Sequence, residues 1–374
     1  MDGVGGVGQM GVSASPSPSP LEYPFADTPA TGRAIEVAPG VLWLRMPMPF
    51  RLDHINIWAI RDNAPTNDGD ETGKDGWAIV DTGLQTPETI DAWRALFANG
   101  GALCDARITR VIVTHMHPDH VGMAGWLAEK FDIGLAMTRL EYLNCRVLLT
   151  DTGRSAPEEG IRFYARSGWD VDALEMYRAR FGDFGRWIHK VPDSYARLSD
   201  GQRFVIGEHT WEVIVGAGHS PEHACLLCRE LGVFISGDQV LPRISSNVSV
   251  FPTEPDADPL TDWLSSIERI RARVEPDLLV LPAHNEPFRG LHLRLDALAD
   301  GHLVGLDRLR ERLAQPQRVV DVFPALFRRA IGSGRELTLA TGESLAHLNY
   351  LMARGEAERR LGSDGVYRYR AVGS

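Results

Sequence analysis

The sequence predicts an α/β protein, an αββα sandwich in which two sheets pack face to face with helices outside. Short apolar strands alternate with helix-patterned segments, the arrangement that buries sheets between helices. Four of the strands deliver a histidine or aspartate at their ends. One long helix-patterned stretch, residues 140–195, interrupts the strand pattern between the second and third of those strands.

Taken in order, the first twenty residues (MDGVGGVGQMGVSASPSPSP) are dominated by Gly, Ser and Pro, which predicts a disordered tail over residues 1–25. Without a basic flank or a continuous apolar core, this stretch does not read as a secretory signal. Ile35–Met46 and His54–Arg61 are expected to be antiparallel strands, followed by a polar Gly/Asp-rich loop (Asn63–Gly76) and the strand Trp77–Val80. Thr86 and Pro87 open a helix to Phe97, with proline in its first turn. Val111-Ile-Val-Thr reads as a buried strand, and Val121–Phe131 as an amphipathic helix. The stretch 140–195 is expected to be a helical insertion that covers the site as a lid. Most of its aromatics, among them Tyr164, Trp169 and Tyr177, are expected to form the insertion's own core.

The character changes past residue 300. Residues 301–374 carry twelve Arg, no Lys and eight acids, a net of +4, which leaves −15 for residues 1–300 of a chain whose whole charge is −11. Helices over Leu303–Leu313, Val319–Ile331 and Glu343–Arg354, then a hairpin around Gly365, predict a winged-helix-like C-terminal domain at 301–374. The preceding domain would span 26–300. A basic winged helix invites a nucleic-acid reading, but the arginines are interleaved with acids, so nucleic acid is not the expected partner.

The chemistry is carried by His115-Met-His117-Pro-Asp119-His120 at the mouth of a strand-to-helix turn. His115 and His117, two apart, point to the same side of extended backbone. Trp211–Gly216 leads to His219 and His223, Leu231–Gly237 to Asp238, and Asp277–Ala283 to His284. A lone His or Asp after a strand is commonly a cap. Four such placements in one chain yield seven donors: five histidines (His115, His117, His120, His219, His284) and two aspartates (Asp119, Asp238). That is too many for one tetrahedral ion and suits two ions sharing a bridge.

The order HxHxDH at 115–120, GHSPEH at 218–223, GD at 237–238 and AH at 283–284 resembles the metallo-β-lactamase-fold hydrolase superfamily. The likeness is closer to its glyoxalase-II-like and lactonase-like members, and to a branch with an extra C-terminal domain. The resemblance implies one metal on His115, His117 and His219, a second on Asp119, His120 and His284, and Asp238 bridging both. It implies supporting roles outside the ligand set for Asp81, in Val80-Asp81-Thr82-Gly83, and for His223. Asp119 and Asp238 would orient the attacking water or take its proton. The family's true zinc β-lactamases lack a bridging aspartate at the position of Asp238, which argues against β-lactams as the native substrate.

The expected function is therefore dinuclear-metal hydrolysis of a small carbonyl substrate: a thioester, ester or lactone. A metal-dependent nuclease aided by the basic C-terminal domain is one alternative; a mononuclear-iron sulfur dioxygenase is another. Five imidazoles favour zinc, and iron and manganese accept similar sets. Arg243, Asn247 and the stretch Phe50–Asn56 are candidate substrate contacts. With 44% hydrophobic and 24% charged residues the chain can bury a large core, and no apolar run approaches the ~20 residues that span a bilayer. Cys225 and Cys228 lie an odd spacing apart on a strand, so they face opposite sides and read as inert buried thiols. A cytoplasmic protein, with homodimerisation open, is the expectation.

Overall fold

The computed structural model describes residues 21–62 and 76–373. The N-terminal tail up to Pro20 lies outside the described residues, as does the polar loop after Asn63, except for Gly76, which opens a strand. Strands β1 (Ile35–Ala38), β2 (Val41–Pro47), β3 (His54–Arg61) and β4 (Gly76–Val80) come first. Helix α1 (Pro87–Phe97), β5 (Arg107–Ile112), the single turn α2 (Pro118–Val121), α3 (Ala124–Phe131) and β6 (Leu135–Thr138) follow. Next are α4 (Arg139–Thr150), α5 (Glu158–Arg166), α6 (Val171–Arg180) and β7 (Ala196–Leu198). The second half holds β8 (Arg203–Ile206), β9 (His209–Gly216), β10 (His223–Cys228), β11 (Val233–Gly237), α7 (Pro259–Arg273) and β12 (Leu279–Pro282). Helix α8 (Leu291–Arg312), the short α9 (Phe323–Leu326), α10 (Arg335–Ala353) and the hairpin β13 (Ala357–Leu361) and β14 (Tyr367–Ala371) complete the chain.

Strands β1 to β7 form one sheet in sequence order, and β12-β11-β10-β9-β8 a second. Between the sheets lies a core of Trp43, Trp58, Val80, Ile112, Trp211, Leu226 and Leu281. The far face of the first sheet packs with Trp93, Leu96 and Leu127 of α1 and α3. That of the second packs with Trp263, Leu298, Leu306 and Leu348 of α7, α8 and α10. This is the αββα sandwich expected. Parallel pairing of β4 with β5 and of β11 with β12 brings the ends of the ligand-bearing strands to one rim. In open sheets that rim is where sites are built.

Several boundaries differ from the sequence expectation. Ile35–Met46 is not one strand: Gly40, at φ +71°, turns the chain between β1 and β2, a conformation open to glycine. The helix over Val121–Phe131 is broken after Gly122, because the Met123 amide donates to Gly83 O (3.0 Å) and Thr82 Oγ1 (3.1 Å). A side chain on Gly122 would meet Gly83 O at 2.4 Å, so only glycine permits that approach. The expected disorder to Phe25 ends earlier, since Glu22 bridges to Arg289 and Phe25 packs edge-on against Trp43.

At the other end, the boundary after residue 300 falls inside α8, which runs unbroken from Leu291 to Arg312. The helix expected over Val319–Ile331 is a 3-10 turn (Val319–Val322) and one α turn, and α10 begins at Arg335, eight residues before Glu343. The C-terminal region shares one continuous core with the second sheet, as Leu326, Leu348 and Tyr369 join Ile214, Phe234 and Val280. Cys225 packs into that core and Cys228 into the inter-sheet core, on opposite faces as expected. Burial pushes both thiols up, Cys228 to about 11.

Candidate metal centre

The apolar strand β5 delivers Thr114 and His115 as it leaves the sheet, and Pro118 at the first position of α2 turns the chain so that Asp119 and His120 face back. His115 Nε2 and His117 Nδ1 come within 2.8 Å of each other. His115, His117, His219 and Asp238 form one group of donors, and Asp119, His120 and His284 another; within each the donor atoms lie within 4.8 Å of one another. Asp238 stands between the two. Its Oδ2 is 3.3 Å from His219 Nε2, and its Oδ1 is 3.3 Å from His284 Nε2 and 3.6 Å from His120 Nε2. Asp119 Oδ2 is 3.4 Å from His284 Nε2 and 3.7 Å from His120 Nε2. A tetrahedral ion with bonds of about 2.0–2.1 Å holds its donors about 3.3 Å apart, so these separations suit metal ligation.

The outer nitrogens fix which atom faces inward. His120 Nδ1 lies 2.8 Å from Asp81 Oδ2, His219 Nδ1 2.7 Å from Asn247 O, and His284 Nδ1 2.9 Å from His54 O. Each ring donates outward through Nδ1 and points Nε2 into the cage, the orientation of metal-bound imidazole. His120 Nε2, His219 Nε2 and Asp238 Oδ1 are buried atoms with no hydrogen-bond partner among the described residues. Buried polar atoms are seldom left so, and a pair of cations is the partner that this donor set fits.

The electrostatics agree. Burial, reinforced by neighbouring rings, pushes His115 well below the ordinary imidazole value and His117 down to about 3. Both rings are thus neutral at physiological pH, the state metal ligation requires. Burial would also lower His120 and His284, but Asp81 and Asp119 beside the first and Asp238 beside the second outweigh it, taking His284 up to about 9. Burial opposes the charge on Asp119 and Asp238, yet the facing His120 and His284 hold both carboxyls low. The cage demands positive charge beside its two carboxylates.

Asp81 lies behind the cage in a left-handed conformation (φ 63°), uncommon for a non-glycine residue. Its carboxylate accepts from the Thr114 amide at 2.8 Å, from Thr114 Oγ1 and from His120. His223 is fully buried and its Nε2 accepts from the Asp238 amide at 3.0 Å, so it backs Asp238 from outside the cage. Arg243 pairs with Glu286 at 2.9 Å and stacks on Tyr23, and is thereby occupied. Within the stretch Phe50–Asn56, the buried Asn56 donates to Pro282 O and Asn285 O, pinning the loop that carries His284.

Glu141, at the start of α4, escaped the sequence reading. Fully buried, its carboxylate accepts from the Met116 amide at 2.9 Å and the Glu222 amide at 2.8 Å, tying the first ligand loop to the one that holds His219 and His223. Asn247 braces rather than faces the site: its carbonyl takes the His219 proton, and its amide donates to Glu343 Oε2 on α10 at 2.8 Å. No local pattern marks either residue; only an acid inside an otherwise helical stretch was visible at 141.

This architecture and this cage define a metallo-hydrolase-type protein, and the chain belongs to the Metallo-beta-lactamase superfamily, which its residues 56–284 match. Residues 306–372 match the Metallo-beta-lactamase-like, C-terminal domain. Among solved structures, a beta-lactamase domain protein from Burkholderia ambifaria is 42% identical, covering 94% of this chain and 98% of its own, with a TM-score of 0.83. A metallo-beta-lactamase family protein from Thermus thermophilus is 25% identical over 90% of this chain and 100% of its own, with a TM-score of 0.73. The probable metallo-hydrolase YqjP of Bacillus subtilis is 23% identical, covering 84% of this chain and 92% of its own. An atrochrysone carboxyl ACP thioesterase of Aspergillus fumigatus is 25% identical over 63% of this chain, but only 41% of that protein is spanned.

Proposed function

We propose that the protein is a dinuclear-metal hydrolase of a small carbonyl substrate, in the thioester, ester or lactone class. The observation that carries this reading is Asp238, whose two oxygens face the two donor groups separately. When bound, two divalent ions, zinc foremost and iron or manganese by the same donors, supply Lewis acidity toward the scissile carbonyl and acidify water to a pKa of about 7. His115, His117 and His219 hold one side of the cage; Asp119, His120 and His284 hold the other. Of the two carboxylates, Asp119 is the more exposed, its side chain 18% accessible against 4% for Asp238. It therefore accepts the proton of the attacking water on the substrate side, while the buried Asp238 keeps the two halves in register. Kinship with the thioesterase favours a carbonyl over a phosphodiester.

The test is metal analysis joined to a substrate panel. Purified protein is expected to carry close to two transition-metal ions per chain and to hydrolyse at least one thioester, aryl ester or lactone. A single iron with oxygen consumption on a persulfide, or cleavage of short RNA alone, would overturn the proposal.

A further inference from the structure

Two arginines near the cage meet no acid among the described residues. Arg335 opens α10, half-buried, with its guanidinium 5.3 Å from the centroid of Phe50, which packs edge-on against Trp187 at 5.9 Å. Phe50 belongs to the segment whose His54 carbonyl orients His284. One turn along the same helix, the Leu339 carbonyl accepts from Asn247, which braces His219. The start of α10 thus lies against both ligand-bearing loops. Arg180, the last residue of α6, approaches from the insertion: its Nη1 is 3.0 Å from where a Cβ on Gly334 would stand.

Neither guanidinium has a carboxylate within 4.0 Å or a hydrogen bond among the described residues. Arg310, Arg318 and Arg354, in the same C-terminal region, each reach an acid. Burial lowers the Arg335 pKa first, Asp119 across the pocket raises it, and Arg180 lowers it again. Two like charges held together with no counterion are unfavourable in a partly desolvated place. The two carboxylates of the cage offset only half the charge of two divalent ions, so the loaded pocket is cationic as well. Arginine forks are suited to carboxylate and phosphate oxygens.

We infer that Arg335 and Arg180 form an anion-binding wall that selects substrates carrying a carboxylate or phosphate. The inference rests on the hydrolase reading for its substrate class, while its anion site is testable without turnover. The two sources of the anion are separated by paired probes on metal-loaded full-length protein. Glutaryl and butyryl thioesters of N-acetylcysteamine differ by an acyl carboxylate. S-acetyl-4′-phosphopantetheine and S-acetylpantetheine differ by a leaving-group phosphate.

The wild type is expected to prefer the anionic member of one pair, chiefly through KM. Arg335→Gln is expected to shrink that preference about tenfold or more, as loss of a charge-assisted contact implies. Arg180→Gln, at an exposed position, should act in the same direction and serves if the first variant does not fold. A collapse in the glutaryl pair assigns the anion to the acyl group; a collapse in the pantetheine pair assigns it to the carrier. No anionic preference in either pair, or a preference unchanged in both variants, overturns the inference. If no thioester turns over, the hydrolase reading fails by itself, and calorimetric binding of glutarate and 4′-phosphopantetheine decides. Weakening of about tenfold in the variants supports the wall; equal or absent binding removes it.

Discussion

At the scale of single residues, the cage separates ligands from the groups that aim them. His117→Ala and Asp238→Ala are expected to leave a folded protein with metal content well below two ions per chain and no measurable turnover, read by metal analysis and circular dichroism. Asp81→Asn tests the layer behind. Its carboxylate takes protons from Thr114 and His120, and an amide could not accept both while keeping His120 in its ligand tautomer. Metal affinity at the Asp119–His120–His284 side should fall roughly 10–100-fold in a chelator competition. The donors His115, His219, Asp238 and His284 were legible because each follows closely on a strand, whereas Asp119 and His120 lie past Pro118 in α2, where the turn sets their direction. Glu141 was not legible, and Asn247 was singled out for substrate rather than as a brace, because what they hold lies 25 to 96 positions away, and no local spacing encodes a contact across the fold.

Among elements, the insertion and α10 are struts. Trp169, just ahead of α6, donates to Thr341 Oγ1 of α10 at 2.9 Å. Tyr164, Trp169 and Ala173 form a small core of their own, with Val320 and Leu337 packed against it. The aromatics are thus mainly packing, as their pattern implied, while Trp187 packs edge-on against Phe50 beneath Arg335. Glu141→Ala should strand two part-buried amides and cost about 1 kcal/mol or more in all, seen as a lower denaturation midpoint. Weaker metal retention should accompany it, because His117 and His219 lose a common brace. Helix and strand types were readable from apolar periodicity, whereas their ends were not. The turn at Gly40 and the break after Gly122 depend on φ and on a 2.4 Å approach to Gly83 O, neither of which hydropathy reports.

For the molecule as a whole, acid stability has a definable contributor. Glu212 on β9 is gripped by Arg273 at 2.8 Å and Arg229 at 2.8 Å. Hydrogen bonding to Arg273 foremost, with Arg229 adding and burial opposing, holds its pKa down to about 2, against 4.5 ordinarily. A depressed carboxylate stabilises the fold above its unfolded value, and that stability is lost as pH falls through the folded one. The wild type should therefore lose stability between about pH 4.5 and 2, and Glu212→Gln should flatten that part of the melting curve against pH while lowering the midpoint at neutral pH. Removing residues 301–374 is expected to yield aggregated or molten protein. The cut leaves the apolar faces of α7 and the second sheet without Leu306, Leu348 and Tyr369, so such a deletion cannot isolate what the C-terminal region contributes to catalysis. Composition signalled a change near residue 300, because charge balance shifts there, but charge says nothing of a helix that continues underneath.

That unbroken rod sets where the chain can be recombined. A chimera joined after residue 300 would splice two halves of one helix from different parents, each half shaped to its own sheet. The better seam is Gly290, whose φ of 100° marks a sharp bend just ahead of Leu291, so that a donor tail arrives with its whole axle and its own bearing surface.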